Sequence, residues 1–174
     1  MKTKTNTILV IMNVLAWITF IGLMVKAGAI LVSFGVSVSH PEAAKNLYME
    51  TNLYNLMQFD FVHYTVVVVM WVAILILEAY TAFLVTRVLS RIKMTNPFTP
   101  EVSKDIEKIA YVILLIWVAA MLYNGYQQWL AKQITGWEEN LIPAEFILMV
   151  GVVFVFSQIF KKGVEIQSEN ELTV

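Results

Sequence analysis

The sequence predicts an all-α integral membrane protein: a four-helix bundle with both termini cytoplasmic and a short amphipathic helical segment in its first outer loop. Three observations carry this. Hydrophobic residues make up 59% of the chain and charged residues 14%, against ~45–50% and ~25% in an ordinary soluble domain, and the mean hydropathy is +0.69. The apolar residues gather into four blocks, each long enough for a bilayer that needs ~20 of them. Lysine and arginine are divided unevenly between the connections, which sets orientation. At 174 residues, one domain spanning 1–174 is the default.

The first block runs from Ile8 to about Gly35 and is interrupted by Lys26. Its apolar run before Lys26 exceeds the ~7–15 residues of a secretory signal core, so it reads as an uncleaved spanning helix. The outer connection that follows is long. Ser39-His40-Pro41-Glu42 resembles a helix start, with a capping hydroxyl, an early proline and an acid three residues on. From Pro41 to about Met57 the pattern is amphipathic, which fits one or two short helices on the outer surface or capping the bundle.

The second block runs from Phe61 to about Val85 and carries Glu78. Its Val66-Val67-Val68-Val69 run favours strand in water, but backbone groups in lipid need partners within their own segment, so helix is expected. The inner connection holds Asn96-Pro97, which disfavours helix at Asn96, and then Thr99-Pro100-Glu101, an N-cap with proline and an acid in the first turn. The third helix should therefore start near Pro100, well before the end of the lipid layer, and stand into the cytoplasm as one rod with its span at 106–130. The fourth block runs over 142–160, with Pro143 placed to start it.

Lys2, Lys4, Arg87, Arg91, Lys93, Lys104, Lys108, Lys161 and Lys162 fall on one side of this arrangement; Lys45, Lys132 and the end of the helix near Lys26 fall on the other. Nine against three places both termini inside. The localisation expected is the bacterial inner membrane, multi-pass, with the lipid bilayer as the first partner.

Several function classes drop out. The chain has no cysteine, which excludes disulfides, thiolate metal sites and thiol redox chemistry. Two histidines, His40 and His63, are too few for a bis-histidine dihaem bundle. A net charge of -1 argues against direct nucleic-acid binding. No phosphate loop, paired catalytic carboxylates or nucleophile triad appears, so no enzyme, metal or cofactor is expected.

Glu78 is the candidate intramembrane polar site. A carboxyl in a spanning helix is costly and is a functional hypothesis by default; the plainer reading is a packed, hydrogen-bonded carboxyl. Lys26 lies nearer the outer face by roughly 15 Å of helix and is expected to snorkel outward. Asp60 and His63 share the mouth of the second helix and read as a solvated pair. Trp17, Trp71 and Trp117 fall at mid-depth and suggest packing between helices, whereas Tyr123, Tyr126, Trp129 and Trp137 read as an interfacial belt. Arg87, Arg91 and Lys93 read as a topology signal and a contact for anionic lipid. After Lys161-Lys162 the tail turns polar yet keeps Leu172 and Val174, which alternate as an extended strand does, and it is expected to dock on the start of the third helix or on a partner.

Two stretches carry a family resemblance. Asn96-Pro97-Phe98-Thr99-Pro100-Glu101 opens a membrane helix, and Gly163-Val164-Glu165-Ile166-Gln167-Ser168-Glu169-Asn170-Glu171-Leu172-Thr173-Val174 follows the last span. With four spans, they resemble the bacterial domain-of-unknown-function 2975 family. Its members more often have NPFT-x-E-N and D-L-T-I; here Pro100 and Val102 differ, and Glu171 and Val174 stand for Asp and Ile. The resemblance implies no catalytic residues. It implies association with small helix-turn-helix transcription regulators, and so a non-enzymatic membrane partner or regulator of one. The candidate partner-binding residues are then Asn96, Pro97, Phe98 and Thr99 with Glu169, Glu171, Leu172 and Val174. The alternative is a small transporter or channel, possible as a homo-oligomer, that uses Glu78.

Overall fold

The computed structural model describes the backbone of all residues except 1, 93–95, 136, 138, 144–146 and 173–174, and the side chains of all but these, 2–4 and 170–172. The elements in order are α1 (Lys2–Ser39), a 3₁₀ turn (Pro41–Asn46), α2 (Tyr54–Phe59), α3 (Phe61–Arg91), α4 (Pro100–Gln133) and α5 (Ile147–Leu172). Among the described residues there is no strand. Four helices are long and apolar enough to cross a membrane: Thr5–Ser39, Phe61–Arg91, Pro100–Gln133 and Ile147–Glu169. The chain is a multi-pass membrane protein by this measure.

The valines at 66–69 are helical, inside α3. The apolar faces say which solvent these helices suit. On α1, Val10, Ile18, Val25 and Val32 are all more than 60% exposed. In water such a surface would be an aggregation face; in lipid it loses nothing.

α4 begins as its sequence predicts. The Thr99 carbonyl accepts the Ser103 N–H at 3.0 Å, and Thr99 Oγ1 lies 3.4 Å from the Val102 nitrogen that donates to it. The helix is unbroken from Pro100 to Gln133, 34 residues, or ~51 Å.

Two local expectations are corrected. Ser39 does not cap the turn after it: it is still in α1, and His40 precedes the 3₁₀ turn without a side-chain cap. The tail is helical as far as Leu172, well past Phe160, and Thr173 and Val174 lie outside the described residues. The run from Lys161 contains no proline and is rich in helix formers, and Lys162 donates to Glu165 at 2.8 Å one turn on. An amphipathic helix would also alternate little over so few residues, so two apolar positions around Thr173 could not decide between strand and helix. The start of α5 at Pro143 lies against residues outside the described set.

The chain forms two compact units. Unit 1 comprises 1–21, 78–115 and 145–174. Trp17, Phe20 and Phe83 meet in it edge to face and tilted at 5.6–6.3 Å, the packing use expected of a mid-depth tryptophan. Leu84, Val102 and Ala110 are buried there. Unit 2 comprises 22–77 and 116–144. Phe34, Phe61 and Tyr64 cluster in it, and the Tyr64 hydroxyl shares a buried 2.7 Å hydrogen bond with Ser37. Ala44, Leu47, Leu53 and Leu56 are buried beneath the loop that joins α1 to α3. That loop turns through Met49 and Glu50 at φ 45° and 68°, and Asn46 Oδ1 accepts the Glu50 N–H at 3.0 Å.

Candidate functional site

The polar end of unit 1 is built from three pieces: the last turns of α3, the linker 96–99 with the first turns of α4, and α5 beyond Phe160. A buried carboxylate joins the first two. Asp105 is 6% exposed. It accepts from Arg91 Nη1 at 2.8 Å and pairs with Arg87 Nη2 at 3.3 Å. Two guanidiniums on one carboxylate fasten the end of α3 to the start of α4. Arg87 and Arg91, read from the sequence as a topology signal and a contact for anionic lipid, thus also form a structural clamp, and each remains about 40% exposed on its side chain. Lys93 lies outside the described residues.

The linker meets α5 through the predicted motif residues. Phe98 packs on Phe160 with ring centroids 5.1 Å apart. Its ring also fills the space beside Gly163: a Cβ there would stand 2.6 Å from Phe98 Cδ1 and 2.8 Å from Cε1. Any residue but glycine would force the ring to move. One turn further on, Gln167 Nε2 donates to Asn96 Oδ1 at 2.8 Å. Lys161 faces Glu107 of α4 at 3.8 Å. The two stretches that carried the family resemblance therefore touch each other, although 71 residues separate Asn96 from Gln167.

Of the remaining predicted residues, Pro97 and Thr99 are half-buried in the linker, and Glu169 is exposed on α5. The side chains of Glu171 and Leu172, and all of Val174, lie outside the described residues. The docking that is seen uses Gly163 and Gln167, upstream of the 169–174 stretch on which the tail expectation rested. Glu78 is half-buried within α3.

Unit 2 holds polar groups that sequence patterns misplace. Tyr123 and Gln127 are fully buried, so Tyr123 is not part of an interfacial belt. Gln127 Nε2 donates to the Tyr123 hydroxyl at 2.7 Å, and Gln127 Oε1 accepts from Trp137 Nε1 at 3.1 Å. The i, i+4 spacing of Tyr123 and Gln127 was the one available signal of that pair. Asn124 donates to the Ile142 carbonyl at 2.7 Å and accepts the Ile142 N–H at 2.9 Å. Lys26 is half-buried, with its ammonium 5.7 Å from the ring centroids of both Tyr48 and Trp71. These rings, rather than headgroups alone, receive the charge.

Asp60 and His63 also divide their tasks. Asp60 caps α3: its Oδ1 accepts the N–H of Val62 at 2.7 Å and of His63 at 2.9 Å. The His63 N–H chiefly holds this carboxyl below its ordinary range, outweighing desolvation, and the Val62 N–H adds to it. The His63 ring pairs its Nδ1 with the Tyr126 hydroxyl at 2.5 Å and stands edge-on to Trp129. Among the described residues no three acidic or histidine side chains gather as a metal site would need.

The family described as Protein of unknown function (DUF2975) matches residues 5–174. No curated protein and no solved structure matches the chain.

Proposed function

The chain belongs to this family of unknown function, and from that membership we propose a non-enzymatic protein of the bacterial inner membrane that holds or signals to a small cytoplasmic helix-turn-helix regulator. Both termini are cytoplasmic on this reading, because nine of the twelve Lys and Arg residues fall on that side. The one observation that most supports it is the junction of the linker with the α5 extension. Asn96, Phe98, Gly163 and Gln167 bring the two motif stretches into one composite surface at a single end of unit 1. A surface assembled from two distant segments, beyond the apolar part of the helices, suits a protein partner better than a ligand buried in lipid. Its polar side chains are of the exposed, adaptable kind that soluble partners meet.

The test uses the full chain in detergent and a purified helix-turn-helix regulator encoded in the same genome. Binding should be measurable, and ending the chain before Gly163, which removes Gly163 and Gln167 from that surface, should abolish it while insertion and the four membrane-crossing helices are retained. Equal binding by the truncated chain, or none by the intact one, removes this reading.

A further inference from the structure

Lys26 is a charge without a counter-charge. It stands half-buried in the apolar run of α1, and among the described residues no carboxylate comes within ion-pair distance of its ammonium. The described acids of unit 2 are placed elsewhere. Glu42 pairs with Lys45, Asp60 caps α3, and Glu50 and Glu139 line a polar cleft with Asn52 and Asn140. The ammonium meets two rings instead, Tyr48 from the connection after α1 and Trp71 from α3, each with its centroid 5.7 Å away. A ring face attracts a cation but gives its N–H groups no oxygen to donate to. The setting changes along α1. Toward Ser39 it is polar: the connection folds back far enough for Tyr48 to reach Lys26, and Glu42, Lys45 and Glu50 of that connection are exposed. In the other direction it is apolar and open. Gly22, one turn away on the same face, has nothing within 4 Å of where a Cβ would stand, and Met24 and Val25 beside it are exposed.

We propose that Lys26, with Tyr48 and Trp71 beside it, seats the phosphate of an anionic phospholipid in the leaflet on the side of the α1–α3 connection, its acyl chains running past Gly22. A phosphate oxygen supplies the charged acceptor that the two rings do not. The polar connection on one side of Lys26 and the open apolar strip on the other match the two parts of a lipid. The same surroundings select the headgroup. An ethanolamine headgroup brings a second ammonium to a place where the described residues offer it no carboxylate and Lys26 already holds both ring faces. A glycerol headgroup brings hydroxyls alone. The site therefore prefers phosphatidylglycerol to phosphatidylethanolamine, and it does so whether or not the chain binds a regulator.

The test uses the full chain in vesicles of mixed phosphatidylglycerol and phosphatidylethanolamine, with one or the other lipid carrying a photoreactive diazirine beside its glycerol. After illumination the labelled peptides are mapped by mass spectrometry. In the native chain the phosphatidylglycerol probe should label the peptides that hold Gly22, Lys26 and Tyr48 about fivefold more than the phosphatidylethanolamine probe, the factor that one lysine beside an anionic headgroup is worth. Lys26→Met should remove that preference there and leave labelling around Arg87 and Arg91 unchanged, which shows that the variant is folded and inserted. Lys26→Arg keeps the charge and should keep the preference. Should Lys26→Met not accumulate, Lys26→Gln removes the same charge, and the ratio in the native chain decides by itself. Equal labelling by the two probes in the native chain, or a preference that survives loss of the charge, overturns the site. Glycerol phosphate present on both faces of the vesicles separates the two sources of phosphate. Labelling by the lipid should persist in its presence; displacement of the lipid would assign Lys26 to a soluble phosphate and overturn the phospholipid as its ligand.

Discussion

Asp105 and Glu78 are both carboxylates within membrane-crossing helices, and their settings differ. Asp105 is buried, and its charge is met by Arg87 and Arg91. Removing it leaves two guanidiniums facing each other without the acceptor that holds them. Asp105→Ala should lower stability by about 2 kcal/mol, within the range for hydrogen bonds to charged groups, read as a lower thermal midpoint in detergent. Arg91→Ala should cost more than Arg87→Ala, because its contact is 0.5 Å shorter, 2.8 Å against 3.3 Å. For Glu78 the expectation is a hydrogen-bonding role, so Glu78→Gln should accumulate in the membrane near the native level and Glu78→Leu should fall below it. Equal loss in both would point to the charge itself. Glu78 was visible in the sequence because a carboxyl interrupts an apolar run. Asp105 was not: its partners precede it across the linker, and helical periodicity does not say which face of one helix meets the end of another. Gln127 was hidden in the same way, since an amide near a helix end reads as leaving the lipid until Tyr123 and Trp137 are seen to enclose it.

Helix starts were legible in part and helix ends were not. Thr99-Pro100 fixed the start of α4 through local chemistry alone: a hydroxyl acceptor, a residue without an N–H, and a first-turn acid. At α3 the cap is Asp60, and it makes the start of that helix sensitive to acid. Its carboxyl is held below the ordinary range in the folded chain. The stabilisation is thus complete above the unfolded value of about 4 and is lost as pH falls through the lowered folded value. The amide resonances of Val62 and His63 should therefore move together only in acid, below pH 4 or so, and Asp60→Asn should abolish that transition. Movement centred near neutrality would assign it to another group. The end of α5 misleads because Lys161-Lys162-Gly163 has the composition of a helix stop, basic residues followed by glycine. Here the glycine is wanted for the room it leaves Phe98, and the helix runs on through it. A stop signal and a packing notch use the same residue, and only the neighbour tells them apart.

At the scale of the whole molecule, composition and block length were enough for an all-α chain with four membrane-crossing helices. The division into two units was not legible, because α1, α3 and α4 each contribute to both and no break in sequence marks the change. Orientation rests on the placement of Lys and Arg, and it predicts that reporter fusions after Lys45 and after Val174 lie on opposite sides of the membrane; activity of both on one side would reject it. The connection after α4 carries a last consequence. Among the described residues there is no strand, yet Asn124 engages both backbone groups of Ile142, so one side-chain amide stands in for a peptide unit and writes a single rung of β-ladder onto a helix. A backbone segment supplied in this way has no need of water at that point, and can lie at a depth where a bare loop cannot. The position accepts no imitation: aspartate has no hydrogen to give the Ile142 carbonyl, leucine offers neither half of the rung, and glutamine carries its amide one methylene too far out.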